Sequence, residues 1–214
     1  MTKNLGDLRE NYQKIKLELL TVSPDPIQQF IRWFHEALKS KLYESNAMTL
    51  ATVRSDGQPA ARMVLLKGIE EGKFIFYTNY QSEKGQELNK NPRAALLFWW
   101  PELERQVRVE GQVEQVPGQV SDAYFASRPR GSQIAARVSK QSEKLNEPSQ
   151  LQEEWMLLRR QLKGKKVSRP SHWGGYQLKP QRIEFWQGQP NRLHQRLRYS
   201  LKSDLKWSRE LLYP

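Results

Sequence analysis

The chain has no cysteine among its 214 residues. That excludes disulfides, thiolate nucleophiles, cysteine-ligated zinc and iron–sulfur clusters. Histidine is scarce too: His35, His172 and His194 are widely spaced, and no metal site is expected. Long apolar runs are missing. Nothing approaches the ~20 residues of a membrane span, and the polar N-terminus MTKNLGDLRENYQK has no signal-peptide core. A cytoplasmic protein without membrane contact is expected. Also absent are the dinucleotide G-x-G-x-x-G, the Walker loop, H-E-x-x-H, G-x-S-x-G and any acid pair resembling a glycosidase dyad. Acidic residues are few beside basic ones, 23 against 35, giving a net charge of +12.

Hydrophobic residues make up 37% of the chain and the mean hydropathy is -0.81, both lean values. Seven Trp, eight Tyr and seven Phe nevertheless argue for a folded protein. Such a composition fits a fold that completes its core against a second copy of itself. The positive charge suits nucleic acid, and it equally suits a site for phosphate esters; the total does not choose between them.

Leu5, Leu8, Tyr12, Ile15 and Leu19 recur at helical spacing, so residues 4–20 are expected to form a helical arm. Asp25-Pro26 opens a second helix with an apolar stripe of Ile27, Phe30, Ile31, Phe34 and Leu38, and His35 lies beside that stripe as a surface or boundary residue. From Ala47 the period changes to two. Strands are expected over 47–53, 59–66, 73–78, 93–100 and 105–116, with a hairpin turn at 55–58, a polar turn at 68–72 and a short helix over 82–89. Helices follow at 120–126, 132–138 and 151–162, with a polar loop over 139–149 and a solvated basic run over 159–169. Strands at 173–178, 183–187, 192–200 and 206–212 end the chain. Hairpins with inserted helices give an α+β fold around a small barrel, with no clean domain boundary.

Several clusters could bind anions. On an extended chain Arg192, His194 and Arg196 share a face. That row is favoured where something anionic or electron-rich sits opposite, and a solvated edge strand accounts for it as well. Arg62 and Lys67 bracket RMVLLK at an odd separation, so they serve two anions or one leaves the strand at its end. Tyr124, Arg128 and Ser132 are spaced by four and carry the donors a phosphate dianion needs. A helix C-terminus capped by Arg explains that segment equally well. Gln141-Ser142, beside Lys140 and Lys144, is a weaker signal. Two phosphate sites plus an aromatic, cationic strand form the pattern expected where a phosphorylated cofactor meets a phosphorylated substrate.

The segment EFWQG followed by RLHQR resembles the C-terminal signature of the pyridoxine (pyridoxamine) 5′-phosphate oxidases. The similarity runs from LRENY at 8–12 through RMVLLK, FYTN, ERQVRVEG, YFASRPRGSQIAARVSKQS and HWGGY. It implies a split β-barrel FMN-binding fold, antiparallel and Greek-key-like with flanking helices. It further implies a homodimer with FMN bound noncovalently at the subunit interface, residues 1–22 acting as a lid, and 23–214 as a single FMN-binding domain. By this resemblance Arg62, Met63, Val64, Leu65, Leu66 and Lys67 form the FMN-binding strand. Arg62 and Lys84 grip the FMN phosphate, with Tyr77, Thr78, Gln141 and Ser142 nearby, and Gln106, Trp186 and Arg196 hold the isoalloxazine end. Lys67, Tyr124, Arg128 and Ser132 take the substrate phosphate. Arg192 and His194 cover the pyridine ring as the catalytic pair, and Arg9 and Tyr12 belong to a segment that closes over the site.

The implied reaction oxidises the 4′ carbon of pyridoxine or pyridoxamine 5′-phosphate by hydride transfer to the flavin. Dioxygen then accepts the electrons to give hydrogen peroxide, and the amine substrate also releases ammonia. Two positions depart from the family pattern. Glu83 stands where an arginine is frequent and either weakens the phosphate clamp or turns outward. Gln195 replaces an acidic residue or Asn and is expected to point away from the Arg/His face. Two rivals remain: another split-barrel flavoprotein, such as a flavin reductase, and a non-enzymatic nucleic-acid binder.

Overall fold

The structure, a computed structural model, describes residues 4–8, 11–13, 16, 17 and 19–214. Its elements are α1 (Pro26–Lys39), β1 (Ala47–Val53), β2 (Pro59–Leu65), β3 (Gly68–Glu70), β4 (Lys73–Asn79), α2 (Glu83–Lys90) and β5 (Arg93–Trp100). These are followed by β6 (Arg105–Gln115), α3 (Gly118–Ser127), α4 (Arg130–Val138), α5 (Pro148–Gln161), β7 (Trp173–Gln187), β8 (Gln195–Leu201) and β9 (Trp207–Leu212). The sheet runs β2-β1-β5-β6-β7-β4-β3, with β8 joined to β7 and β9 to β8. Strand β7 pairs antiparallel with β4 through its first half and with β8 through its second. The fold class is the α+β split barrel expected from the sequence.

The chain groups into two compact units. One comprises Met1–Leu50, Ala95–Glu110 and Pro180–Pro214, and the other Ala51–Ala94 and Gly111–Lys179. Each is assembled from separated stretches, so no linker marks a division in the sequence, where a single domain over 23–214 was expected.

In the first unit Asp25 caps α1 by accepting a hydrogen bond from the Ile27 N–H at 2.8 Å, and Pro26 occupies the first turn. The buried residues of α1 are Pro26, Gln29, Phe30, Trp33 and Ala37, so the expected stripe holds at Phe30 and is otherwise displaced. Ile27, Ile31 and Phe34 are half-buried and Leu38 is exposed. The helix is turned by Trp33, whose ring meets Phe185 edge-on at 5.2 Å and lies 4.3 Å below the Arg105 guanidinium. Phe30 packs on Phe98 at 4.9 Å, and Phe185 on Tyr199 at 5.7 Å. Each fully buried side chain of this size contributes about 1.5–3 kcal/mol. His35 is exposed, as expected.

Two local expectations in this unit fail. Among the described residues of 4–20 the helical content is one 3-10 turn, Leu5–Asp7; Ile15 lies outside the described residues. Side chains from elsewhere satisfy this backbone: Glu104 accepts from the Gln13 N–H at 3.1 Å, and the Gln195 amide pairs with Leu17. The strand expected over 192–200 begins only at Gln195. Pro190–Arg192 form a 3-10 turn in which Asn191 and Arg192 have φ of 57° and 64°. Arg192 and His194 therefore do not share a strand face with Arg196.

In the second unit Phe74, Phe76 and Leu178 are fully buried where β4 meets β7. A second cluster joins Phe125, Ile134, Val167 and Trp173, with Trp155 and Leu158 of α5 against it. The two strands expected at 173–178 and 183–187 are the single β7, and the polar turn at 68–72 contains the short β3.

Candidate functional site

A cavity of about 780 Å³ opens in the second unit. Strand β2 supplies Arg62, Met63, Val64 and Leu65, and Lys67 follows just past its end. Lys67 has left the strand at its end, and both cations line one cavity. Tyr77 and Thr78 come from β4, Lys84 from α2, Tyr124 and Arg128 from α3 and its cap, Ser132 from α4, and Gln141 from the following loop.

One wall is built around Lys84, which is buried and hydrogen-bonds to Ser82 Oγ at 3.3 Å and Gln141 Oε1 at 3.2 Å. Thr78 Oγ1 donates to the same Gln141 oxygen at 3.3 Å. Burial, then the charge of Arg62, holds the Lys84 ammonium below its ordinary pKa. Arg62 donates to the buried Glu87 at 2.8 Å and to Thr52 Oγ1. Burial alone would raise the Glu87 pKa, but hydrogen bonds from Thr52 and Arg62, with the charges of Arg62 and Arg54, bring it below the ordinary value. Arg62, Lys84 and Glu87 together leave one net positive charge facing the cavity. Glu83, in the first turn of α2, is exposed and turned outward, one of the two outcomes anticipated.

The opposite wall is aromatic and cationic. Tyr77 and Tyr124 stack with centroids 3.8 Å apart, and both rings lie nearly parallel to Trp173. The Arg128 guanidinium sits 4.5 Å over Trp173. Helix α3 ends at Ser127, and Arg128-Pro129 turns the chain into α4. Buried Gln133 pins that turn by donating to the carbonyls of Phe125 and Arg128, both at 3.0 Å. Tyr124, Arg128 and Ser132 thus lie on a helix–turn–helix corner, and the three donors line the same cavity. Burial lowers the Arg128 pKa, and Tyr124 opposes that shift. Arg128 NH1 is buried without a hydrogen-bond partner among the described residues. An orphaned guanidinium nitrogen costs about 1–3 kcal/mol, and an anion in the cavity would satisfy it. By donor chemistry this wall fits a phosphate ester, and so does the Arg62–Lys84–Thr78 wall.

Those of the remaining expected residues that are described do not line this cavity. Leu66 belongs to the core, and Ser142 is exposed with φ of 75°. Arg9 lies outside the described residues. Gln106, Trp186, Arg192, His194, Arg196 and Tyr12 belong to the first unit. There Trp186 and His194 pack with centroids 4.6 Å apart, and Tyr12 stands edge-on to both. Gly188 permits that approach: a Cβ there would fall 2.8 Å from the Tyr12 ring and 3.0 Å from Glu104 Cβ. His194 is half-buried, and burial, then the Arg192 charge, depresses its pKa. Arg192 is exposed. Gln106 is half-buried on β6.

Glu184 is a functional candidate that sequence reading missed. Its buried carboxylate accepts from Arg196 Nε at 2.9 Å and from Arg108 NH2 at 3.0 Å, which fixes Arg196. Glu87 does the same for Arg62. For Glu87 the i, i+3 spacing from Lys84 was a legible signal; for Glu184, alternation with buried Ile183 and Phe185 pointed outward, to solvent. Gln195, expected to point away from the Arg/His row, accepts from the Leu17 N–H at 2.7 Å and donates to the Leu17 carbonyl at 3.3 Å. No metal-binding group of acids and histidines occurs among the described residues, and no described helix is long and apolar enough to cross a membrane.

Comparison with known proteins gives a consistent result. The family model described as pyridoxamine 5′-phosphate oxidase matches residues 34–159, and that of the pyridoxine 5′-phosphate oxidase C-terminal dimerisation region matches 173–214. A pyridoxine/pyridoxamine 5′-phosphate oxidase of Cyanothece sp. (strain PCC 7425) is 50% identical across 100% of both chains. One of Cupriavidus metallidurans is 53% identical over 98% of this chain and 99% of its own. Among solved structures, PhzG of Burkholderia lata 383, in complex with tetrahydrophenazine-1-carboxylic acid, superposes with a TM-score of 0.89 at 29% identity, covering 96% of this chain and 100% of that one. A pyridoxamine 5′-phosphate oxidase-related FMN-binding protein of Nostoc punctiforme has a TM-score of 0.73 at 18% identity, covering 90% and 100%, a likeness of fold.

Proposed function

Because the chain belongs to the pyridoxamine 5′-phosphate oxidase family, we propose that it oxidises pyridoxine 5′-phosphate and pyridoxamine 5′-phosphate to pyridoxal 5′-phosphate, using FMN and dioxygen. The observation that carries this reading is the pairing of two phosphate-compatible walls in one cavity, one with Arg62 and Lys84, the other with Lys67, Tyr124, Arg128 and Ser132. Bound FMN supplies the two-electron acceptor and its reoxidation by dioxygen, with hydrogen peroxide as product. Pyridoxine 5′-phosphate plus dioxygen gives the aldehyde plus hydrogen peroxide; the amine consumes one water as well and releases ammonia.

The chain's own part is binding and orientation. Arg62 and Lys84 hold the FMN phosphate, with Thr78, Gln141, Ser142 and Tyr77 beside them. Lys67, Arg128, Tyr124 and Ser132 anchor the substrate phosphate, turning remote binding energy into ring orientation. Gln106, Trp186 and Arg196 hold the flavin ring end, and Arg192 and His194 cover the substrate ring. The first 22 residues, with Arg9 and Tyr12, act as a lid; the packing of Tyr12 on Trp186 and His194 supports this. The protein acts as a homodimer with FMN at the subunit interface; the match of residues 173–214 to a dimerisation region supports the dimer.

The test is peroxide release by the flavin-loaded protein. Both phosphate esters should support turnover, and unphosphorylated pyridoxine should require a far higher concentration. Equal use of both forms would contradict the reading. The likeness to PhzG, solved with tetrahydrophenazine-1-carboxylic acid, favours a second reading, action on a phosphate-free ring, and that reading predicts turnover of neither pyridoxine 5′-phosphate nor pyridoxamine 5′-phosphate.

A further inference from the structure

The turn before β8 fixes which nitrogen of His194 carries the proton. The backbone N–H of Gln189 points at His194 Nδ1 from 3.1 Å. A backbone N–H can only donate, so Nδ1 must present its lone pair. A neutral imidazole has one ring proton, which is then on Nε2. A doubly protonated ring would set an Nδ1–H against the Gln189 N–H and forfeit that bond.

The arrangement is held from several sides. Gln189 is buried, and its side-chain amide donates to the Gly188 carbonyl at 2.6 Å. The Leu193 N–H closes the turn on the Pro190 carbonyl at 3.1 Å, and the positive φ of Asn191 and Arg192 brings the chain round so that residues 189 and 194 face each other. Strain of this kind persists where surrounding structure over-determines it, commonly at functional sites. Trp186 and Tyr12 pack against the ring. Among the described residues Arg192 is the charged neighbour, and with burial it disfavours the imidazolium.

We propose that His194 serves the reaction as a neutral imidazole with its proton fixed on Nε2, a hydrogen-bond donor to the substrate and not a general base. A base must accept a proton, and here Nδ1 is engaged by Gln189 while Nε2 already carries a proton. The group it meets must present a lone pair, as a ring oxygen or the 4′ substituent does. The proposal deepens the oxidase reading and rests on it for the identity of the acceptor.

Two measurements test it on the flavin-loaded protein. In a long-range 1H–15N spectrum of histidine-labelled protein, with His194 assigned by its loss in His194→Gln, the ring should show protonated Nε2 and bare Nδ1 at neutral pH. Kinetically, a glutamine amide reaches the Nε2 position and an asparagine amide the Nδ1 position. His194→Gln should stay within about tenfold of the native kcat, while His194→Asn and His194→Ala lose about 100-fold, the low end of what proton-transfer or donor groups contribute. A spectrum with Nδ1–H, or an imidazolium at neutral pH, overturns the proposal. So does an Nε2–H spectrum accompanied by a glutamine variant as slow as the alanine variant. If His194→Ala turns over normally with flavin bound, the placing of His194 at the substrate fails and the donor role with it, while the spectrum still decides the tautomer.

Discussion

Replacing Arg128 by alanine should separate binding from stability. In the folded protein its guanidinium lies over Trp173 at 4.5 Å, an interaction of about 0.5–2 kcal/mol. Its buried NH1 lacks a partner among the described residues, a liability of about 1–3 kcal/mol. These terms oppose each other, so the urea-unfolding free energy of Arg128→Ala should lie within about 2 kcal/mol of the native value. Substrate binding should behave differently. A charge-assisted hydrogen bond to phosphate is worth about 1.5–3 kcal/mol, which is roughly 10- to 150-fold in KM. The phosphate is remote from the reacting carbon, so the loss should fall mainly on KM, with a smaller fall in kcat to the extent that the anchor also orients the ring. Steady-state peroxide assays over a range of pyridoxine 5′-phosphate give both constants, and unphosphorylated pyridoxine is the control, since its KM should not respond to the substitution. An unchanged KM for the ester, or an equal rise for both compounds, would refute the phosphate role of Arg128.

Other outcomes follow from the same contacts. Gly174→Ala would place a Cβ 2.1 Å from Tyr80 Oη and 2.9 Å from Ser121 Oγ; it should lower stability by about 1–3 kcal/mol in urea titration. Gln195→Glu keeps an acceptor for the Leu17 N–H but sets a carboxylate against the Leu17 carbonyl; amide exchange at Leu17 should quicken several-fold, about 1 kcal/mol of one net hydrogen bond. Acid should act in two steps. The folded His194 pKa is below the ordinary 6.5, so between the two values the unfolded chain binds more protons and stability falls as pH drops through that window. Glu87, also depressed, contributes stability above its ordinary 4.5 that is lost as pH falls through its folded value. Urea midpoints against pH should show both steps, with His194→Gln removing the upper and Glu87→Gln the lower.

Much of this was legible because it rests on short-range rules. Alternation gave β1 and β5 to the residue, Asp25-Pro26 gave the start of α1, and the donors Tyr124, Arg128 and Ser132 converge as their spacing suggested. The failures share a cause: distant side chains overrode local pattern. Residues 4–20 carry helical periodicity, yet Glu104 and Gln195 claim the backbone of Gln13 and Leu17. The Arg192–His194–Arg196 alternation assumes a strand, yet Pro190 and two left-handed residues make a turn. Glu184 was invisible as a site residue because a carboxylate between Ile183 and Phe185 reads as solvent-facing until the arginine it holds is located in space. No rule of spacing shows that β7 is one strand serving β4 and β8 in turn.

The most direct test is a crystal structure of the protein with FMN and pyridoxal 5′-phosphate bound. The account predicts one phosphoryl group on Arg62 and Lys84, the other on Lys67 and Arg128, and both Arg192 and His194 against the pyridine ring. Phosphoryl groups elsewhere, or Arg192 and His194 facing bulk water with the heterocycles in place, would contradict it.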